Sequence, residues 1–239
     1  MRTAPRALLP LLAVACLLPL ASVALSHRGP RSAPAAEVAG ARYRLDAASA
    51  KRAGARLLTA DVRRAGLRFD PAVAPADQQA VLTAIAAARP EARALVALVD
   101  GLVDLHVGPV GGHAVGVTEV DDPGYSVTLD LGLAASRFGE RGIERLVLHE
   151  LGHVVDHALL PDALIDALDA GIPSGLGCDQ GTMGACANRE ERFAETFAKW
   201  ALGDIGVNLD LGYKVPPPAL PLDAWGAPLA SFAASAHGT

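Results

Sequence analysis

The stretch Glu144–Leu160, ERLVLHELGHVVDHALL, decides how the chain reads. Leu146, Val147, Leu151, Val154, Val155 and Leu159 give it the pattern of a largely buried helix, interrupted by HELGH (His149 to His153) and by Asp156. On a helix, residues four apart leave the same face one turn apart, so His149 and His153 can both reach one ion. A tetrahedral zinc needs two ligands at that separation. Glu150, beside the first histidine, is then placed to act as general base on a water activated at the zinc. The competing reading is a buried helix whose two histidines hydrogen-bond locally.

Working outward, 239 residues are enough for one domain with a sizeable core. The chain is 51% hydrophobic but only 4% aromatic, so small and aliphatic side chains carry the core, as in closely packed helices. A formal charge of −5, with no basic run or arginine–aromatic patch in the body of the chain, argues against nucleic acid as a partner.

Arg2 and Arg6 precede an apolar run from Ala7 to Leu25, and Ala24-Leu25-Ser26 offers a cleavage site before His27. Residues 1–26 therefore read as a secretory signal peptide, and the mature protein is expected to be secreted. An uncleaved membrane anchor is the alternative, since the run approaches the length that spans a bilayer. Pro10 and Pro19 favour removal, after which a monomer without stable membrane insertion is expected. Two cysteines then remain, Cys178 and Cys186, which in an oxidising compartment predict one disulfide closing a short loop.

Residues 27–40, rich in Pro, Ala, Ser and Arg, read as a flexible spacer. The folded domain is expected over 41–215, followed by a proline-rich tail over 216–239 whose Trp225 and Phe232 favour partial packing against it. Inside the domain, helices are predicted over Ala47–Ala65, Gln78–Ala88 with Asp77 as cap, and Glu91–Leu98. Strand texture follows in Leu102–Val107, Ala114–Val120 and Tyr125–Leu131, with the clearest alternation in the last. A short helix over Asp162–Ala170 and a glycine-rich loop to Gly184 come after the HELGH helix. The fold class is α+β, mostly helical, with a small mixed sheet before the active-site helix. His106 and His113, near a glycine-rich turn, read as structural or solvent-facing.

The second informative stretch is NREERFAETFA, Asn188 to Ala198. Phe193, Phe197 and Trp200 recur at helical spacing, so this helix packs one face inward. Glu191 and Glu195 lie four apart, and carboxylates turned toward a core need cations or a metal. Zinc held by two histidines needs such a third ligand while keeping one open position. Glu190, Asp156 and His157 also stand near enough to be weighed. Helical drift carries His157 off the metal face, and Asp156 reads as a residue that orients a neighbour or caps backbone.

Taken together, HELGH followed by NREERFAETFA resembles the glutamate-zincin peptidases, most closely the C-terminal domain of anthrax lethal factor and the Pro-Pro endopeptidases. The resemblance runs from His149 to Ala198 and implies a zincin-like domain holding one Zn2+ per chain. It implies Glu191 as third zinc ligand and Glu195 as the carboxylate that orients a zinc histidine through its other ring nitrogen. Other zincin patterns fit less well. The metzincin histidine would fall at Leu159, and Gly181-Thr182-Met183-Gly184-Ala185 lacks the aspartate of the aspartate-zincins. One departure stands out: the family tyrosine that stabilises the oxyanion is replaced by Gly184. Tyr213, Tyr125 or a histidine would have to supply that contact, and Tyr213, which follows the ligand helix, is the candidate.

The expected function is that of a secreted zinc-dependent metalloendopeptidase acting on a peptide or protein substrate. Glu150 would take the proton of the attacking water and pass it to the leaving amine. No Gly-x-Ser-x-Gly motif points to a covalent route. The alternative is a catalytically inactive, zinc-stabilised binding domain of the cell envelope, favoured by the missing tyrosine and opposed by the intact Glu150.

Overall fold

The computed structural model describes residues 66–111, 114–121, 123–174, 187–205 and 215–237. Four strands form a mixed sheet: β1 (Arg68–Phe69), β2 (Val103–Val107), β3 (Gly116–Asp121) and β4 (Gly124–Leu129), in the order β1-β2-β4-β3. β1 and β4 both run parallel to β2, whereas β3 pairs antiparallel with β4. The β3–β4 hairpin inserts its second strand beside β2, which leaves β3 on the edge. Val103, Leu105, Val127 and Leu129 are fully buried and mark the face turned to the core. Glu119, Val120 and Asp121 at the end of β3 are exposed.

The helices owe their ends to identifiable local chemistry. Pro75 opens α1 (Pro75–Ala87) and Pro90 opens α2 (Pro90–Val99), where a missing N–H costs nothing. Asp130 caps α3 (Leu131–Phe138) by accepting the Leu133 N–H at 2.8 Å. Gly139, at φ +68°, closes α3 and admits the chain to α4 (Glu140–Leu159). Beyond α5 (Asp162–Asp169), Asn188 caps α6 (Arg189–Leu202) by accepting the Glu191 N–H at 2.9 Å. Gly203 ends α6 in the left-handed conformation at φ +65°. The last helix is α7 (Leu222–His237).

Helix α4 is the axis of the molecule. It is buried without a break from Arg145 to Asp156 and packs against β3 and β4 as well as α1, α2, α3 and α6. Its most extensive partner is α6. At their crossing a Cβ on Gly152 would lie 3.1 Å from Phe197 Cδ1 and 3.3 Å from Ala194 Cα. A glycine facing an alanine thus lets the two backbones approach closely, and that approach brings the polar side chains of both helices into contact.

Several expectations are corrected in detail. Helix α4 begins at Glu140, a turn before Glu144. The strand expected over Tyr125–Leu131 stops at Leu129, because Asp130 captures the Leu133 N–H and starts the additional helix α3. The stretch expected as a proline-rich tail carries α7, which joins the core through buried Trp225, Leu229, Phe232 and Ala233. Trp225 Nε1 donates to the Leu168 carbonyl at 3.1 Å, and Gly226 sits so close to Trp200 that no larger residue would fit. Arg89 pairs with Asp223 at 2.8 Å and lies over the Trp200 ring, fastening α7 to the junction of α1 and α2. The signal segment, the spacer, the helix expected over Ala47–Ala65, and Cys178 and Cys186 lie outside the described residues. Among the described residues, no helix is long and apolar enough to cross a membrane.

Candidate metal centre

The site is a ladder of polar side chains between two helices that are otherwise apolar where they meet. On α4 the residues are Arg145, His149, His153 and Asp156; on α6 they are Arg189, Glu191, Glu195 and Lys199. The rungs run in opposite order along the two helices, so α4 and α6 pass antiparallel. Asp156 Oδ1 lies 3.3 Å from Arg189 Nη1, and His153 Nε2 lies 3.6 Å from Glu191 Oε2. His149 Nε2 is 3.1 Å from the same Glu191 oxygen, and its Nδ1 is 3.3 Å from Glu195 Oε2. Arg145 Nη2 meets Glu195 Oε1 at 2.6 Å.

Three donor atoms converge. One ligand atom each from His149, His153 and Glu191 lies within 4.8 Å of the other two. The separations from Glu191 Oε2, 3.1 and 3.6 Å, bracket the ~3.3 Å that separates neighbouring ligands of a tetrahedral ion with ligand bonds of ~2.0 Å. The donor set of two imidazoles and one carboxylate is of the kind zinc accepts while keeping a fourth position open. The two rings stand edge to face, with centroids 5.0 Å apart, so neither blocks the other's Nε2. The residues present therefore fit a divalent ion with nitrogen and oxygen ligands.

The electrostatics point the same way. Burial alone would push the His149 imidazole down, but Glu191, Glu195 and Glu150 reverse this and raise it to about 10. Burial would raise Glu191, yet His149 and His153 hold it far below the ordinary carboxylate range. Glu195 is held down to about 2 against its burial by His149 and Arg145. Carboxylates that draw a proton onto a buried imidazole so strongly form a site suited to positive charge, and a metal ion would take that proton's place.

Glu150, the neighbour of His149 on α4, turns its side chain toward the sheet edge. Thr118 Oγ1, on β3, lies 2.8 Å from Glu150 Oε2 and 3.2 Å from the Glu150 carbonyl oxygen. Gly116 on the same strand leaves so little room that a Cβ there would come within 2.4 Å of Glu150 Oε1. Edge strand β3 thus both confines and hydrogen-bonds the carboxylate.

His149, His153, Glu191 and Glu195 are brought into contact, with Glu150 next to His149. His106 is not with them; it sits on β2, half-exposed, 3.4 Å from Asp70 Oδ2. His157, one turn beyond His153 on α4, is exposed and takes no part in the cluster. Asp156 is buried, with Oδ1 beside Arg189 and Oδ2 without a hydrogen-bond partner, and burial pushes its pKa up. Tyr125 is half-buried at the start of β4, and burial and the charge of Asp156 raise its pKa. His113, Gly184 and Tyr213 lie outside the described residues.

Three residues in contact with the cluster escape a reading by motif: Arg145, Lys199 and Thr118. A signal exists for the first two. Arg145 is four residues before His149 in an apolar helix, and Lys199 is four after Glu195, so each continues its helix's polar stripe by one turn. Thr118 has none, because its role depends on which strand forms the edge. Comparison of the chain with protein-family models, curated proteins and solved structures finds no match.

Proposed function

We propose that the chain is a zinc-dependent metallopeptidase with a zincin-like domain, secreted after removal of residues 1–26. The observation that carries this reading is the convergence of His149, His153 and Glu191 on one point, with the Glu150 carboxylate held beside it by Thr118 of an edge strand. His149, His153 and Glu191 would hold one zinc. When bound there, zinc supplies a Lewis acid that polarises a peptide carbonyl and lowers the pKa of a water to ~7.

The remaining chemistry belongs to the chain. Glu150, accepting one hydrogen bond from Thr118, would take a proton from the attacking water at its carboxylate and return it to the departing amide nitrogen. Glu195 accepts from His149 Nδ1, which turns the lone pair of Nε2 toward the ion. β3 is an edge strand of the sheet among the described residues, and an extended peptide would pair with its backbone there. A glutamate confined by strand and hydroxyl is hard to explain at a purely structural metal, which has no use for a base.

The test is metal content and peptide-library hydrolysis of the mature chain and Glu150→Gln. We expect one zinc per chain in both, with hydrolysis lost by about 10²–10⁴-fold in the variant. Absence of zinc from the wild type after reconstitution overturns the reading. Zinc in both proteins with hydrolysis in neither would make the site that of a binding domain.

A further inference from the structure

We propose that Arg145, assisted by Lys199, is a positioning residue for the metal ligand His149, acting through Glu195. The inference rests on the metal site proposed above and goes beyond its ligands to what fixes one of them.

The two oxygens of Glu195 have separate tasks. Oε1 receives Arg145 Nη2 at 2.6 Å and Nε at 3.2 Å, with Lys199 Nζ 3.4 Å away. Oε2 is thereby left to His149 Nδ1, 3.3 Å away. A carboxylate gripped by a guanidinium on one oxygen cannot swap its oxygens or rotate out of the imidazole plane without breaking the stronger contact. His149 Nδ1 must then carry the hydrogen, and Nε2 must face Glu191.

The cations are themselves fixed. Arg145 Nη1 donates to the Asp204 carbonyl at 3.1 Å, and Lys199 Nζ donates to the Val215 carbonyl at 2.6 Å. Arg141 pairs with the Asp204 side chain, holding that turn in place. Arg145, Glu195 and Lys199 are all at most 1% exposed. Burying three charged groups is costly, and a glutamate needed only to accept one imidazole N–H could be an uncharged acceptor. A fully desolvated anion with two cations is what a rigid acceptor requires. The spacing serves this directly, because Arg145 precedes His149 by one helical turn and Lys199 follows Glu195 by one.

A double-mutant cycle on zinc affinity separates positioning from mere packing. Zinc dissociation constants are measured by chelator competition for wild type, Arg145→Met, Glu195→Gln and the double variant, with folding checked by circular dichroism. Arg145→Met is expected to weaken zinc by about 10–100-fold, the range for loss of a group that supports a ligand. In the Glu195→Gln background the same change is expected to cost nothing further, since the neutral amide no longer answers to the cation. If Arg145→Met does not fold, Lys199→Met takes its place in the cycle, with a smaller loss because its contact is longer. Unchanged affinity in Arg145→Met, or losses that simply multiply in the double variant, overturns the positioning role while the metal site stands. A wild type that binds no zinc overturns the metal site itself and this inference with it.

Discussion

Gly116 offers a way to move Glu150, the base of the proposed reaction, without touching the proposed metal ligands. An alanine Cβ built there would lie 2.4 Å from Glu150 Oε1, 2.8 Å from Glu150 Cδ and 2.7 Å from Leu146 Cδ1. Ordinary contact begins at ~3.4 Å, so the carboxylate must withdraw by about 1 Å. The tip of a glutamate can move where a backbone cannot, so the strand should keep its place. Gly116 is not among the glycines at positive φ, and its backbone accepts alanine without strain. Reduced freedom of the unfolded chain contributes about 0.4–1 kcal/mol in favour of alanine, against roughly 1–3 kcal/mol for overpacking. Stability should therefore fall by no more than about 2–3 kcal/mol.

Activity should fall much further. A displacement of about 1 Å in a reacting group costs on the order of 10²-fold, and here it also breaks the 2.8 Å hydrogen bond from Thr118. The three atoms nearest the new methyl belong to Glu150 and Leu146, not to His149, His153 or Glu191. Gly116→Ala should accordingly lose about 100-fold in kcat/KM while keeping one zinc per chain. The assay is steady-state hydrolysis of a peptide selected from a library, with zinc measured on the same preparation. Wild-type kcat/KM in the variant would refute the placement of Glu150 as base. Loss of zinc together with activity would refute the separation of base from ligands.

Two further outcomes follow from the charges of the site. In the metal-free chain His149 is raised from 6.5 to about 10, so its contribution to stability is complete below pH 6.5 and is lost as pH rises through about 10. Glu195 is lowered from 4.5 to about 2, so its contribution is present above pH 4.5 and is lost as pH falls toward 2. Scanning calorimetry of the metal-free chain should show its highest Tm between those limits, and a Tm still climbing from pH 7 to 9 would contradict the cluster. Zinc should raise Tm at pH 7.5, since free ion at ~100 times Kd contributes about 2.7 kcal/mol, or roughly 5–10 °C at this size. A chelator should reverse the rise, and Glu191→Ala should abolish it.

Much of the fold is legible in the sequence because its elements are bounded by strong local signals. Proline opens α1 and α2, Gly203 closes α6, and alternation marks β4. The parts that escape are those whose outcome depends on a single contact made in space. Asp130 looks like the continuation of an alternating strand, and only its bond to the Leu133 N–H shows that a helix has begun. The prolines at 216–218 and 221 suggest an extended tail, yet they merely precede α7, whose Trp225 and Phe232 find the core. Strand order is likewise invisible: three strands are legible, but the docking of the hairpin on β2 is what sets the last of them between the other two.

The site divides along the same line. Two histidines and a glutamate within five residues announce themselves, because a helix alone fixes their geometry. Glu191 and Glu195 come from a separate helix, with Glu191 42 residues beyond His149, and nothing local sets the register in which α6 crosses α4. That register is set by Gly152 against Ala194 and Phe197, a steric fact of the crossing. Arg145 carries information of another kind. A positive charge buried at the head of the helix's polar stripe must meet an anion or the helix would not be buried there. The sequence offers Glu195, on the polar stripe of α6 between Glu191 and Lys199, as that anion. Pairing these two charges agrees with the register that the Gly152 crossing sets, in which Glu191 lies beside His149 and His153. The buried charges that look most costly in the sequence thus mark where its two chemical motifs meet.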